Sequence, residues 1–159
     1  ASAYGYKALG DVMVFLFFGW LSVLGTYFLY TKQIDFLMLL PASTIGLLST
    51  GVLNLNNMRD IESDKLSNKQ TLAGYFGSKR SKIYHQLLVV FSMLLIGFYS
   101  FLTANSTMYF LIIAFLPFLV HLNIIRNTIN PKDYDPQLKV LALSTFLLAI
   151  VFSICHIVV

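Results

Sequence analysis

The chain has 159 residues, of which 57% are hydrophobic and 11% charged, well below the roughly 25% charged share of a soluble domain, and this excludes a globule that covers its own surface with polar groups. The formal net charge of +4 comes from basic residues placed between apolar runs. It therefore reflects membrane topology and not a nucleic-acid-binding arm, while the single cysteine, Cys155, excludes an internal disulfide and gives no metal-ligand spacing.

From the N-terminus, residues 1–11 (A-S-A-Y-G-Y-K-A-L-G-D) are mixed in polarity and lead directly into a full-length apolar run, so no cleavable signal peptide is expected. The missing initiator Met points to a fragment or processed chain. A helix needs about 20 apolar residues to cross the hydrocarbon core, and the uncharged runs 12–31 and 36–58 supply that length. Gly19, Ser22 and Gly25 in the first run, and Ala42, Gly46 and Gly51 in the second, place small residues at helical spacing where backbones can approach.

The next uncharged run, 83–125, is too long for one crossing. Its polar cluster T-A-N-S-T (103–107) supplies a turn, giving helices over 83–102 and 108–125, the second expected to kink at Pro117. A last run, 140–159, closes the chain. Open strands leave backbone groups unsatisfied in lipid, and no run alternates like a barrel wall. The expected fold is an all-α integral membrane protein of five transmembrane helices, with a site loop over 59–82.

Cytoplasmic connections retain Lys and Arg. Lys7 precedes the first helix, Lys32 follows it, and the second connection holds Arg59, Lys65, Lys69, Lys79, Arg80 and Lys82. The third has none, and the fourth has Arg126, Lys132 and Lys139. A cytoplasmic N-terminus puts ten of the eleven basic residues inside, which predicts the C-terminus outside.

Chemistry concentrates in N-L-N-N-M-R-D-I-E-S-D-K-L-S-N-K-Q-T-L-A-G-Y-F-G, residues 54–77. If the second helix continues outward, Asp60 and Asp64 project from one face, Asn56 and Asn57 extend the stripe toward the bilayer, and Glu62 points elsewhere. Paired carboxylates repel unless a cation lies between them, and Mg²⁺ completes its shell with water and substrate phosphates. Arg59 and Lys69 flank the pair as candidate phosphate ligands. Four-residue carboxylate spacing is also common on solvated helices, but the amides Asn54, Asn56 and Asn57 near the membrane favour function.

The string N-N-M-R-D-I-E-S-D-K-L-S-N-K-Q-T-L-A resembles the second aspartate-rich motif of UbiA-type membrane prenyltransferases, most closely those acting on 1,4-dihydroxy-2-naphthoate in menaquinone biosynthesis. G-Y-K-A-L-G-D-V-M-V-F-L-F-F-G-W-L-S-V-L-G-T (5–26) also resembles these enzymes. The resemblance implies the C-terminal half of a nine-helix bundle in a bacterial inner membrane, with the first aspartate-rich motif absent and the chain inactive alone. It further implies that Asp60 and Asp64 hold Mg²⁺ against a polyprenyl diphosphate, whose prenyl group passes to the naphthoate with loss of CO₂ to give demethylmenaquinone. Asn56, Asn57, Arg59, Lys69, Lys7 and Tyr6 are the implied substrate contacts. Asn68 departs from the Gly expected before Lys69.

Two other readings remain open: a prenyltransferase of the same fold with a hydroxybenzoate, homogentisate or haem acceptor, and a transporter or structural subunit whose aspartates form a cation site or solvated cap. Of the histidines, His85 is expected at the membrane interface. His121 is an ionisable group within a span and has no partner evident in sequence. His156 and Cys155 are expected to pack.

Overall fold

A computed structural model describes residues 8–104 and 109–157. The expected contacts Tyr6 and Lys7 lie outside the described residues, as do 105–107 of the expected turn.

The described residues are essentially all helical. Helix α1 is Gly10–Thr31, followed by α2 (Leu39–Arg59) after a 3-10 turn at Phe36–Met38, the short α3 (Ile61–Leu66), α4 (Leu72–Thr103), α5 (Leu111–Asn127) and α6 (Asp135–Ile157) after the turn Pro131–Tyr134. Among the described residues four helical stretches are long and apolar enough to cross a membrane: Gly10–Thr31, Phe36–Arg59, Leu72–Thr103 and Pro131–His156. The fifth expected crossing corresponds to α5, which is apolar but only 17 residues long and runs through Pro117.

Two boundaries differ from expectation. Helix α4 starts at Leu72 and not at 83, and α6 starts at Asp135 and not at 140. Uncharged runs mark the hydrocarbon thickness, whereas a helix continues past it wherever its ends are capped. Thr71 provides such a cap for α4, its Oγ1 accepting from the Gly74 amide at 3.0 Å. The segment 59–82 is therefore largely helical, interrupted by the Ser67–Gln70 turn and by Gly77, whose φ of 72° suits glycine.

Helix α2 is central, packing against α1, α4 and α6. Its faces are matched by size. A Cβ on Gly19 would lie 2.7 Å from the Gly46 Cα, and one on Gly46 would lie 2.9 Å from the Phe15 carbonyl oxygen. Gly51 meets Leu141 and His85. Gly25 and Ser22 do not join this seam: a Cβ on Gly25 would meet nothing within 4 Å, and Ser22 bonds back to the Phe18 carbonyl. The reason is local, because Phe15–Leu24 is a π-helix, whose i→i+5 turns shift the faces that a 3.6-residue period predicts.

His85 is fully buried, which corrects its expected interfacial position. Its Nε2 lies 2.9 Å from Nε2 of His121, whose Nδ1 lies 2.8 Å from the Gln137 Oε1. The chain His85–His121–Gln137 thus joins α4, α5 and α6 through polar groups that would be costly unpaired. His156 packs on Phe152 and meets the Tyr99 hydroxyl at 2.8 Å.

Cross-contacts fix which helix ends share one side. The C-terminal end of α2 lies with the starts of α1, α4 and α6 and the end of α5, through Ala8 N–H to the Gln70 carbonyl at 3.0 Å, Lys82 to the Thr128 carbonyl, and Arg59 to Asp135. Around the spans the outward faces are apolar, for example Phe17, Leu29, Phe91, Ile113 and Phe146, as a lipid-facing surface requires.

Candidate functional site

At this shared end α2 stops at Arg59, Asp60 bridges to α3, and the Asp64 amide donates to the Asp60 carbonyl at 2.8 Å. That i→i+4 backbone bond closes one turn between the two aspartates of the D-x-x-x-D motif. Asp64 is buried, with 7% of its surface exposed. Glu62 points away, as expected, and its exposed carboxylate meets Lys65 at 2.9 Å.

Each aspartate is matched by a cation from the same segment. Arg59 Nε and Nη2 donate to the two Asp60 oxygens, each at 2.8 Å, and Lys69 Nζ bridges both Asp64 oxygens at 3.1 and 3.0 Å. The Arg59 bonds hold the Asp60 carboxyl below the usual carboxylate range. A carboxyl depressed in the fold stabilises it above its unfolded value of about 3.9 and loses that contribution as pH falls through the lowered value. The expected result is that wild-type stability climbs as pH is raised through the acid range, and that Arg59→Gln diminishes the climb; acid titration of the single Trp20 fluorescence measures both.

The turn that returns Lys69 to Asp64 depends on Asn68, which has φ of 54°. This is the left-handed region where glycine is easiest and Asn tolerated, so the departure at Asn68 keeps the geometry of the Gly that the resemblance leads one to expect. The Lys69 amide then donates to the Asp64 carbonyl at 2.9 Å. Asn68→Gly is expected to leave thermal stability unchanged or higher, whereas Asn68→Val is expected to cost about 1–2 kcal/mol, measured by denaturant unfolding in detergent.

The amides occupy graded positions below the acidic pair. Asn56 Oδ1 accepts from Arg59 Nη2 at 2.7 Å, and Asn54 Nδ2 donates to the Ser81 carbonyl at 3.1 Å. Asn57 is buried and its Oδ1 has no hydrogen-bond partner. It lines a cavity of about 110 Å³ with Asp11, Lys69, Gln70 and Thr71. Beside Asn56 opens a larger groove of about 690 Å³, walled by Val14, Phe18, Val52, Leu53, Leu138 and Ala142 from α1, α2 and α6.

Two carboxylates at this end were not singled out from sequence. Asp135, from α6, accepts from Arg59 Nη1 at 2.5 Å. Asp11 is buried at the start of α1, where Tyr84 donates to it at 3.2 Å. Asp135 reads as an ordinary acidic first turn, and nothing local reveals that α6 brings it to Arg59.

Among the described residues no three His, Cys, Asp or Glu side chains are grouped to hold a metal unaided. The donor set still fits magnesium bound with phosphate. Asp60 and Asp64 are hard oxygen donors, the unpartnered Asn57 Oδ1 is another close along α2, and Mg²⁺ commonly takes only one or two protein carboxylates beside phosphate oxygens and water.

The profile of the UbiA prenyltransferase family matches residues 3–150. The chain is 38% identical over 152 residues to a 1,4-dihydroxy-2-naphthoate octaprenyltransferase of Haemophilus influenzae, covering 95% of this chain and 49% of that protein. It is 36% identical over 137 residues to the Escherichia coli protein of the same name, covering 86% and 44%. With the Mycobacterium leprae protein of that name it shares 44% identity over 87 residues, covering 55% and 30%. The chain spans about half the length, or less, of the curated relatives it matches. No solved structure matches it.

Proposed function

Because the chain belongs to the UbiA prenyltransferase family, we propose that, within a full-length enzyme, it transfers a polyprenyl group from its diphosphate to 1,4-dihydroxy-2-naphthoate with loss of CO₂. The observation that carries this reading is the Asp60–Asp64 turn, each carboxylate paired with a cation, with Arg59 bonded to Asn56, which lines an apolar groove. The relatives' names favour the naphthoate as acceptor.

Asp60 and Asp64 would hold magnesium, which when bound neutralises the diphosphate leaving group. Arg59 and Lys69, now on those carboxylates, exchange part of that pairing for phosphate oxygens, Arg59 through its planar fork and Lys69 as a point charge. Asn56 and Asn57 stand where the polar head gives way to the apolar wall, and the groove of Val14, Phe18, Val52, Leu53, Leu138 and Ala142 receives the isoprenoid chain. Tyr6 and Lys7, which lie outside the described residues, are assigned as further diphosphate contacts on the family resemblance alone. The allylic C–O bond breaks with its electrons going to diphosphate, a ring carbon of the naphthoate forms the new C–C bond, and CO₂ departs to leave the quinol.

The aspartate end is cytoplasmic in this reading, and α5 completes a fifth crossing, its 17 residues lying at the short limit of about 17–25. These five crossings are assigned to the C-terminal half of a nine-helix bundle. Membranes containing the full-length protein, given labelled polyprenyl diphosphate and competing aromatic acids, test the acceptor. Labelled demethylmenaquinol with stoichiometric CO₂ is expected. Preferential labelling of a hydroxybenzoate or homogentisate product moves the assignment to another acceptor, and no product with any acid favours the transporter or structural reading.

A further inference from the structure

Arg59 is bound on more sides than a single phosphate contact needs. Its Nε and Nη2 hold Asp60, Nη2 also reaches Asn56 at 2.7 Å, and Nη1 reaches Asp135 at 2.5 Å. These bonds use four of the five N–H donors of a guanidinium. Only one of the three partners comes from outside the α2–α3 segment. Asp135 is the first residue of α6, and the turn before it is anchored by Tyr134, which is 1% exposed, and by Asn130, whose side chain accepts from the Lys132 amide at 3.2 Å. Its own side chain is 61% exposed, so its pairing with Arg59 contributes little to fold stability. The pair is better explained by what it does to Arg59.

We propose that Asp135 is a positioning residue for the diphosphate site: it holds Arg59 by Nη1, so that when Asp60 is claimed by metal and phosphate the guanidinium stays in place and offers its freed edge to the diphosphate. The inference rests on the function proposed above. Without Asp135, Arg59 has Asp60 as its only carboxylate partner, and releasing it leaves the cation held by Asn56 alone. Asp135 therefore lowers the cost of exchanging Asp60 from arginine to metal. It touches neither substrate nor metal in this scheme and acts only through Arg59.

The test is a double-mutant cycle on the full-length protein in nanodiscs, titrated calorimetrically with magnesium pyrophosphate, with prenyl-transfer kinetics measured alongside. Asp135→Asn is expected to weaken pyrophosphate binding by about tenfold, the loss of one charge-assisted bond. The KM for the prenyl diphosphate should rise in proportion while kcat and the thermal midpoint stay nearly constant. Asp135→Glu should recover most of the affinity. In an Arg59→Gln background, Asp135→Asn should change nothing. The same loss in that background would overturn the proposal, because Asp135 would then act on the ligand directly or through the fold; an unchanged affinity in Asp135→Asn alone would overturn it too. The underlying reading is tested separately by Asp60→Ala: if wild type does not bind magnesium pyrophosphate, or Asp60→Ala binds it equally well, that reading fails and takes this inference with it.

Discussion

Asp60→Ala, introduced into the full-length protein, is expected to lower prenyl transfer by about a thousandfold or more. The magnitude follows from the several kcal/mol that a metal contributes to a developing phosphate charge, each 1.36 kcal/mol being tenfold in rate. Removing Asp60 deletes a proposed metal donor and leaves Arg59 directed at Asp135 and Asn56 alone. Asp64→Ala should act similarly, by freeing Lys69 from the one buried carboxylate of this turn. Glu62→Ala is the internal control. Its carboxylate is 83% exposed and meets only Lys65, so activity should stay within about twofold, in line with the small worth of exposed pairs. Radiolabelled transfer assays at saturating acceptor give the comparison, and equal losses in Asp60→Ala and Glu62→Ala would contradict the assignment.

The largest expected effect on folding is at Gly46. Helices α1 and α2 meet there almost backbone to backbone: a Cβ on Gly46 would lie 2.8 Å from a Phe15 ring carbon and 2.9 Å from the Phe15 carbonyl oxygen. A ring can rotate, but a carbonyl within a helix cannot yield without moving the helix. Gly46→Val is therefore expected to destabilise the protein by about 3 kcal/mol or more, the upper end of overpacking costs. Gly25→Ala, where the added Cβ would meet nothing within 4 Å, should be close to neutral in packing, and Gly46→Ala is its matched counterpart. Thermal unfolding in detergent distinguishes the two. The consequence reaches the site, since α1 carries Val14 and Phe18 in the groove wall.

The helical membrane architecture was legible because lipid permits few solutions and charge marks the ends of each run. The local pairings of Arg59 with Asp60 and of Lys69 with Asp64 fall inside the one short segment, 59–69, that the motif singles out, although Lys69 reaches Asp64 through a turn and not along a helix. What was not legible depends on contacts between distant segments. Asp135 reaches Arg59 across 76 positions of chain, and His85 meets His121 across 36. An amphipathic histidine near a helix start is reasonably placed at the interface until a second histidine on another helix supplies its partner. The small-residue stripe of α1 was read with the wrong period, because Phe15–Leu24 winds as a π-helix. Asn68 shows the opposite case, an unexpected residue type that retains the left-handed backbone a glycine would take.

Manganese provides the most direct measurement of the central claim, since it substitutes for magnesium and is visible by electron paramagnetic resonance. The full-length protein in nanodiscs is titrated with Mn²⁺ and pyrophosphate together, beside the Asp60→Ala, Asp64→Ala double variant. The account predicts a bound-manganese signal that needs pyrophosphate and disappears in the double variant while the protein still unfolds cooperatively on heating. A signal of undiminished strength in that folded variant would place the metal and its diphosphate elsewhere and contradict the account.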